Sequence, residues 1–576
     1  MPCRPGIVRA VRCLALTYVF ALLSGCATLT SSPFISGVYS GLSPEQALKA
    51  AMAWDAQAPS ERDPEARSDA WMRCAVLAHD AMSSDLPATR EAGSALAARC
   101  SRWYFETVTQ GEIMGVHPGS VLIGHRFVRV EFRGLPDSLG THIYLEPADQ
   151  VPVDILGGIR HQSDGFGVPL VAFAPTCTDH PICTLYPPEG IFRPATFWLE
   201  GVPDAGHKGE APLFVIQYPV SQPEHLIGSK HYPLAEDLSA PYAQLLERTN
   251  LRRLGWWGLV GGKAVGLRSG VFLLDDYDPD KMPIIMIHGL GSSPIIWARL
   301  SNAIFGDSAL HQRYQIWHVV YQTNAPLLVE RRRVQGYLDA TWKILDPGDH
   351  APARTGEVLI GHSLGGVIAR LLCARSTPAL WSAAFLVPWE RLRGRSDDLA
   401  LLKSVFQFEP YPGVDEAIFM AAPQHGSPAA GYWYGRVAQS LAWGDIPELA
   451  VLSRIANENS PAIPADLLAN YRIGRLSSIS SLLPDQPVSL VDEQLMPVSG
   501  VRYHTIAGVL AGQRPPGDGF VPLSSALIPG AASTLIVHSN HRVPNNPEAI
   551  AAVLKILRDH AGSHLPDTAV QATASH

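Results

Sequence analysis

Apolar positions change their spacing twice along this chain, and each regime predicts a different kind of element. Between about 44 and 107 the spacing is helical. Trp71, Cys74 and Leu77 recur every three residues, and helices are predicted at about 44–57, 64–83 and 87–107. Ser43-Pro44-Glu45-Gln46 reads as a capping box with proline in the first helical position. From about 116 to 235 the spacing shortens to two. Val128-Arg129-Val130-Glu131-Phe132 and Thr141-His142-Ile143-Tyr144-Leu145 alternate, Phe214-Val215-Ile216 is a further short run, and turn residues separate these strands.

From about 271 continuous apolar runs alternate with helical stretches, which implies buried, mostly parallel strands. Pro283–Ile287, Gln315–Tyr321, Glu357–Ile360, Ala417–Ala422, Tyr503–Val509 and Thr534–Val537 are the predicted strands. Val334, Leu338, Thr341, Trp342 and Leu345 mark one helical face. Asn546-Pro547 opens a last helix carried by Ile550, Val553, Leu554 and Leu557. The expected fold class is therefore α/β. A helical segment (43–115) and a β-rich accessory domain with its connector (116–270) precede a mostly parallel sheet (271–562), and a disordered tail (563–576) follows. Two long insertions, near 376–412 and 428–498, interrupt the sheet domain where caps commonly sit. The second is rich in Trp, Tyr and Leu, and Trp433 and Trp443 are candidates for an acyl pocket.

The chain has 576 residues, enough for several domains. Hydrophobic residues make up 47%, which removes intrinsic disorder as a description of most of it. The net charge of −8, with no long Lys/Arg run, gives no footprint for nucleic acid.

The first 26 residues read as an address. Arg4, Arg9 and Arg12 precede an apolar run, Cys13–Leu23, too short to span a bilayer, and Leu23-Ser24-Gly25-Cys26 follows. Small residues before a cysteine resemble the signal of bacterial lipoproteins. The resemblance implies a signal peptide at 1–25, lipid on Cys26 and a tether over 26–42; a plain secretory signal or a short anchor stays open. Ala27, where the resemblance sorts by Asp or its absence, implies a cell-envelope protein in the outer membrane facing the periplasm. That compartment permits disulfides. Cys177 and Cys183 bracket a short loop, Cys74 and Cys100 sit on successive helical patterns, and Cys373 lies in an apolar helix as a buried free thiol. Tight Cys/His spacing, a phosphate loop and a dinucleotide fingerprint are missing from the sequence, so neither a metal nor a cofactor is expected. Asp276-Tyr277-Asp278-Pro279-Asp280 looks like half a calcium loop, but Lys281 stands where that loop needs glycine.

Candidate chemistry centres on Gly361-His362-Ser363-Leu364-Gly365, a GxSxG between an apolar strand and an apolar helix. A serine on so sharp a turn is backbone-strained, and flanking side chains would collide with neighbouring elements. His288-Gly289-Leu290-Gly291 follows another strand, so the amides of Leu290 and Leu364 are candidate oxyanion donors. His288 itself precedes the nucleophile strand and reads as structural. A serine nucleophile needs a base and an orienter, in chain order Ser, acid, His. Asp518 is the one carboxylate between the last two strands, with glycine on either side. Of His538 and His541, His541 lies further into the loop and is favoured as the base.

PIIMIHGLGSS, VLIGHSLGGVIAR, IFMAAPQHGSP, GDGFVPLSSA and SNHRVPNNPEAIAAVLKIL, in this order, resemble bacterial lipase-like members of the α/β-hydrolase superfamily, and its GPI inositol-deacylase-type branch. The likeness covers about 271–560. It implies hydrolysis of carboxylic esters by Ser363, Asp518 and His541, an ester or lipid substrate, and a structural loop at His425-Gly426-Ser427. An acyltransferase or thioesterase with the same triad is an alternative. A non-catalytic envelope-binding lipoprotein is the alternative of another class.

Overall fold

The computed structural model describes residues 41–203, 210–249, 268–426, 446–474, 476 and 486–564. Cys26, the tether before residue 41, Trp433, Trp443, Ser427 and the tail beyond 564 lie outside these residues. No helix among the described residues is long and apolar enough to cross a membrane.

Three helices begin the described chain: α1 (Pro44–Gln57), α2 (Pro64–Ala81) and α3 (Pro87–Thr109). The capping box is formed: Ser43 Oγ accepts from the Gln46 amide, and Gln46 Oε1 accepts from the Ser43 amide at 2.9 Å. Asp63 caps α2 by accepting from the amides of Glu65 and Ala66. A disulfide joins Cys74 to Cys100 across α2 and α3, and another closes the loop between Cys177 and Cys183. Cys373 is a buried free thiol.

Seven strands form the first large sheet: β1 (Met114–Val116), β2 (Gly119–Ile123), β3 (Arg126–Arg133), β4 (Ile143–Pro147), β5 (Val168–Ala174), β6 (Ile191–Pro203) and β7 (Glu210–Gln217). Their order is β1-β4-β5-β6-β7-β3-β2, antiparallel throughout except for the parallel pair β3/β7. The period-two alternation of β5 sorts its side chains between two cores. Leu170 and Ala172 join the core of Trp71, Leu77 and Phe105 from the helical trio. Val171 and Phe173 join Tyr242 of α4 (Ser239–Arg248) and, beyond it, Trp297 and Phe305 of the second half of the molecule. The helical segment and the β-rich region, separated at residue 115 by their change of period, therefore share one core. Periodicity reports each element's own face and carries no information about what covers it.

The second large sheet comprises β8 (Gly270–Leu273), β9 (Met282–Ile287), β10 (Tyr314–Val320), β11 (Glu357–His362), β12 (Val414–Met420), β13 (Arg502–Val509) and β14 (Ser533–His538). Its order is β8-β10-β9-β11-β12-β13-β14, with only β8 antiparallel to its neighbour. Helices cover both faces. Ile285 and Ile287 share a core with Val334 and Leu338 of α6 (Leu327–Leu345) and Val367 and Leu371 of α7 (Leu364–Leu372). Ile284 and Met286 pack with Leu300 of α5 (Ala298–Phe305) and with Val553 and Leu557 of the C-terminal helix. Burial on both sides explains why β9 and β11 are apolar almost without a break.

The two halves are docked by polar as well as apolar contacts. Buried Arg193 of β6 donates from Nε to Asp276 at 2.7 Å and from Nη1 to the Leu274 carbonyl at 2.9 Å. Tyr186 donates to the other oxygen of Asp276, so the half-loop of aspartates serves the junction between the two sheets. Ser239 donates to Asn302, whose amide nitrogen donates to the Ile159 carbonyl.

The insertions are helical where described. The first holds α8 (Pro378–Ala384) and α9 (Ser396–Phe406). The second holds α10 (Pro447–Glu458), α11 (Ala465–Ile473) and α12 (Pro487–Asp492). The sheet domain closes with α13 (Pro547–Ser563), capped by Asn546.

Candidate active site

The sheet's chain order reverses between β9 and β11: from β9 the chain moves outward to β10, then returns to β11 on the other side. Ligands of open α/β sheets bind outside the carboxyl ends of the strands at such a reversal. Ser363 follows β11 there, and the Gly289–Gly291 loop follows β9.

Ser363 has φ 56° and ψ −124°, a left-handed conformation that a non-glycine residue adopts only under constraint from its surroundings. The surroundings explain the flanking glycines. A Cβ on Gly361 would stand 2.5 Å from Gly366 Cα, and one on Gly366 would stand 2.5 Å from Ala422 Cβ. A Cβ on Gly289 would stand 2.7 Å from Ser363 Cβ. Backbone bonds hold the turn: the Ser363 amide donates to the Met420 carbonyl at 3.0 Å, and the Gly366 amide donates to the Ser363 carbonyl at 2.9 Å.

The structure brings Ser363, His541 and Asp518 into one hydrogen-bonded chain across 178 and 23 residues of sequence separation. His541 Nε2 lies 2.9 Å from Ser363 Oγ, and His541 Nδ1 lies 2.7 Å from Asp518 Oδ2. The other carboxylate oxygen accepts from the amides of Phe520 and Val521, each at 2.8 Å. Burial pushes the Asp518 carboxyl upward. The hydrogen bond and charge of His541, with the two amides, outweigh it and hold the group below its ordinary value. An ionised Asp518 accepts from Nδ1–H, which leaves Nε2 bare toward the serine hydroxyl. His538 is elsewhere: it ends β14, exposed, and its carbonyl accepts from Asn546.

Leu364 begins α7, where a first-turn amide has no intrahelical acceptor. Across from it, the Ser292 amide donates to the Gly289 carbonyl and the Gly291 amide donates to Thr323 Oγ1 at 3.1 Å. Leu290 sits second in that turn, at a position whose amide the turn itself does not use. His288 is buried, stacks on Tyr321 at 4.6 Å and lies with Nδ1 3.0 Å from the Gly289 carbonyl. Burial lowers it to about 4, so it is a neutral support for the loop.

Three supporting groups have no motif of their own. His362 Nε2 lies 2.8 Å from the carbonyl oxygen of His541. An imidazole facing a carbonyl must donate, so Nε2 carries the hydrogen and fixes the backbone of the histidine that faces Ser363. Burial, and then the nearby charge of His541, depress His362 to about 3. Fully buried Arg370 of α7 donates from Nε to Gln424 at 2.6 Å and from Nη1 to the Asp492 carbonyl at 2.7 Å. Its Nη2 donates to Asp492 Oδ1 at 3.3 Å, tying the second insertion to the helix behind Ser363. Gln424 sits in the PQHGS stretch, whose His425 amide donates to Ser525 and whose Gly426 carbonyl accepts from it. The one sequence signal is Gln424 itself, a polar residue in the loop that follows a buried strand.

An apolar cleft opens between α6 and the insertion helices, with about 790 Å³ of space, part of it open to solvent. Leu327 and Val329 of α6, Leu402 of α9, Leu452 of α10 and Tyr471 of α11 line it. Ser363, Asp518 and His541 are not among its walls.

No protein-family model and no curated protein matches the sequence. Solved structures similar to the chain include a lipase and two esterases. The mature lipase BlEst2 of Bacillus licheniformis is 16% identical, over 50% of this chain and 97% of that one, with a TM-score of 0.27. The metagenomic carboxyl esterase MGS0156 is 14% identical, over 49% and 77%, with a TM-score of 0.27. Esterase B of Lactobacillus rhamnosis, inhibited by a tributyrin phosphonate, is 12% identical, over 52% and 81%, with a TM-score of 0.27. Independently of these, the second half of the chain has the layout of an α/β-hydrolase domain: a mostly parallel sheet covered on both faces, with a strained serine between strand and helix at the point of reversal.

Proposed function

We propose that the chain is a serine hydrolase of carboxylic esters, of the lipase and carboxylesterase kind, in which Ser363, His541 and Asp518 work as a catalytic triad. The observation that carries this reading is the pair of contacts made by His541, 2.9 Å to Ser363 Oγ and 2.7 Å to Asp518 Oδ2. Ser363 attacks the acyl carbonyl while His541 Nε2 takes its proton. Asp518 holds the tautomer and stabilises the imidazolium. The proton then passes to the leaving alcohol, and water, activated by the same imidazole, hydrolyses the acyl-enzyme. The amides of Leu290 and Leu364 receive the oxyanion; each such donor typically lowers the barrier by about 2.7–4 kcal/mol.

In this reading the helical insertions cap the site and the apolar cleft among α6, α9, α10 and α11 takes the acyl chain. The motif likeness to the GPI inositol-deacylase-type branch supports a lipid ester as substrate. The same proposal anchors the protein through lipid on Cys26 to the outer membrane of a bacterial envelope, on its periplasmic side. The signal-like run Cys13–Leu23 and the small residues before Cys26 support that placement.

Hydrolysis of short p-nitrophenyl esters tests the reading. The purified chain is expected to turn them over, and Ser363→Ala is expected to lower turnover by at least about 10³-fold without changing the circular dichroism. Equal turnover by the folded variant removes Ser363 as nucleophile and the reading with it.

A further inference from the structure

Outside the Ser363 site, two histidines and a carboxylate converge between the helical trio and the first sheet. His79 lies in the last turn of α2, Glu200 on β6, and His225 on the short strand Glu224–Ile227 that follows β7. His79 Nε2 and His225 Nε2 face each other at 2.9 Å. Glu200 Oε2 stands 3.6 Å from the first and 3.9 Å from the second. A point equidistant from three atoms so spaced lies about 2.0 Å from each, which is the bond length of zinc to imidazole nitrogen and carboxylate oxygen.

We propose that His79, His225 and Glu200 bind a divalent transition-metal ion of the zinc class, with a structural role in the N-terminal half of the protein. The rest of the shell suits that role. Trp198 Nε1 donates to Glu200 Oε2 at 2.9 Å, and Arg133 donates to Oε1 at 2.7 Å and more weakly to Oε2 at 3.4 Å. These bonds fix the carboxylate with Oε2 on the side of the two histidines. Phe166 stacks on the His225 ring at 5.3 Å, and Trp198 lies 4.7 Å from it. The His79 side chain keeps 13% of its exposure, so an ion and its remaining solvent ligand have a way in. On binding, the imidazole carrying hydrogen at Nε2 moves it to Nδ1, and both rings present lone pairs.

The ion would tie together the end of α2, β6 and the hairpin that follows β7. Tyr232 donates to the Met82 carbonyl and Lys230 to the Ser83 carbonyl, so the hairpin at 224–233 already lies along the end of α2. His79 lies 121 residues before Glu200 and 146 before His225, so no Cys/His spacing in the sequence could announce them.

The test uses the full-length, tag-free chain. Elemental analysis after dialysis against micromolar zinc is expected to give one zinc per chain. X-ray absorption of that sample is expected to give two imidazole nitrogens and one carboxylate oxygen at about 2.0–2.1 Å. His79→Gln and His225→Gln are each expected to weaken zinc at least about a hundredfold, beyond what loss of an outer-shell partner costs. His564→Gln, in the other histidine pair with Asp415 and His560, is expected to leave the stoichiometry unchanged. Three results overturn the proposal: no zinc on the wild-type chain, zinc undiminished in folded His79→Gln and His225→Gln, or its loss in His564→Gln. The X-ray absorption result needs no variant, and a shell with fewer than two imidazoles overturns it equally.

Discussion

A Cβ on Gly365 would stand 2.5 Å from the carbonyl oxygen of His288. The serine turn and the loop after β9 are thus pressed together backbone to backbone, and the distance between the Leu290 and Leu364 amides is set by that contact. Gly365→Ala is expected to abolish soluble, folded protein, because the obstacle is backbone and cannot swing aside. Gly336 is the control: it lies exposed in α6 with nothing near a Cβ. Gly336→Ala is expected to raise stability by about 0.5–1 kcal/mol in urea unfolding, the helix preference of alanine over glycine.

Glu330 makes stability depend on pH in an unusual direction. It is fully buried in the first turn of α6, where Oε1 accepts from the Ala325 amide at 2.9 Å. Burial raises it to about 8, against the pull of Arg333. A carboxyl raised on folding holds its proton more tightly in the native state. Its contribution is therefore fully present below the unfolded value near 4.5 and is lost as pH climbs from there to about 8. At 1.36 kcal/mol per unit the loss is up to ~5 kcal/mol. Glu330→Gln, which mimics the protonated acid, is expected to flatten this slope: unfolding free energy close to wild type at pH 5 and higher at pH 8. Parallel pH profiles would show that Glu330 is ionised in the folded protein.

The proposed cap should set acyl-chain preference. Each methylene buried in the transition state contributes ~0.8 kcal/mol, so four favour a longer ester by roughly two orders of magnitude in kcat/KM. Trp433→Ala and Trp443→Ala are expected to flatten that preference and leave acetate esters nearly untouched. Profiles from C2 to C12 that stay parallel to wild type place the acyl pocket elsewhere.

The anchor is testable apart from the chemistry. Cys26→Ser is expected to stop incorporation of labelled palmitate and to move the protein out of the detergent phase. A mature lipoprotein end carries several acyl chains, which hold where a single chain does so only marginally. Unchanged partitioning would make the apolar run Cys13–Leu23 the anchor.

Much of the second half was legible because its constraints are local. Buried strands are apolar without interruption, the nucleophile turn requires its glycines, and Asp518 is alone in its loop. The antiparallel edge strand β8, at the boundary between connector and sheet domain, is not among the predicted strands, since four residues are too few to show a period. His362 and Arg370 escaped because their work is done through a backbone carbonyl and a distant insertion, neither of which leaves a spacing. In the first half the parallel pairing of β3 with β7 and the seating of α3 on the sheet depend on contacts 84 and 98 residues apart.

The central claim is that His541, held by Asp518, activates Ser363. The most direct measurement is covalent labelling by a fluorophosphonate, with the modified residue located by peptide mass spectrometry, in the wild type and in His541→Ala and His538→Ala. The account predicts one adduct, on Ser363, in wild type and in His538→Ala, and its loss in Ser363→Ala. It predicts labelling slowed by several orders of magnitude in His541→Ala, because the serine hydroxyl is then without its base. Absence of an adduct on the folded wild-type chain, an adduct on another serine, or a reversed ranking of the two histidine variants would contradict it.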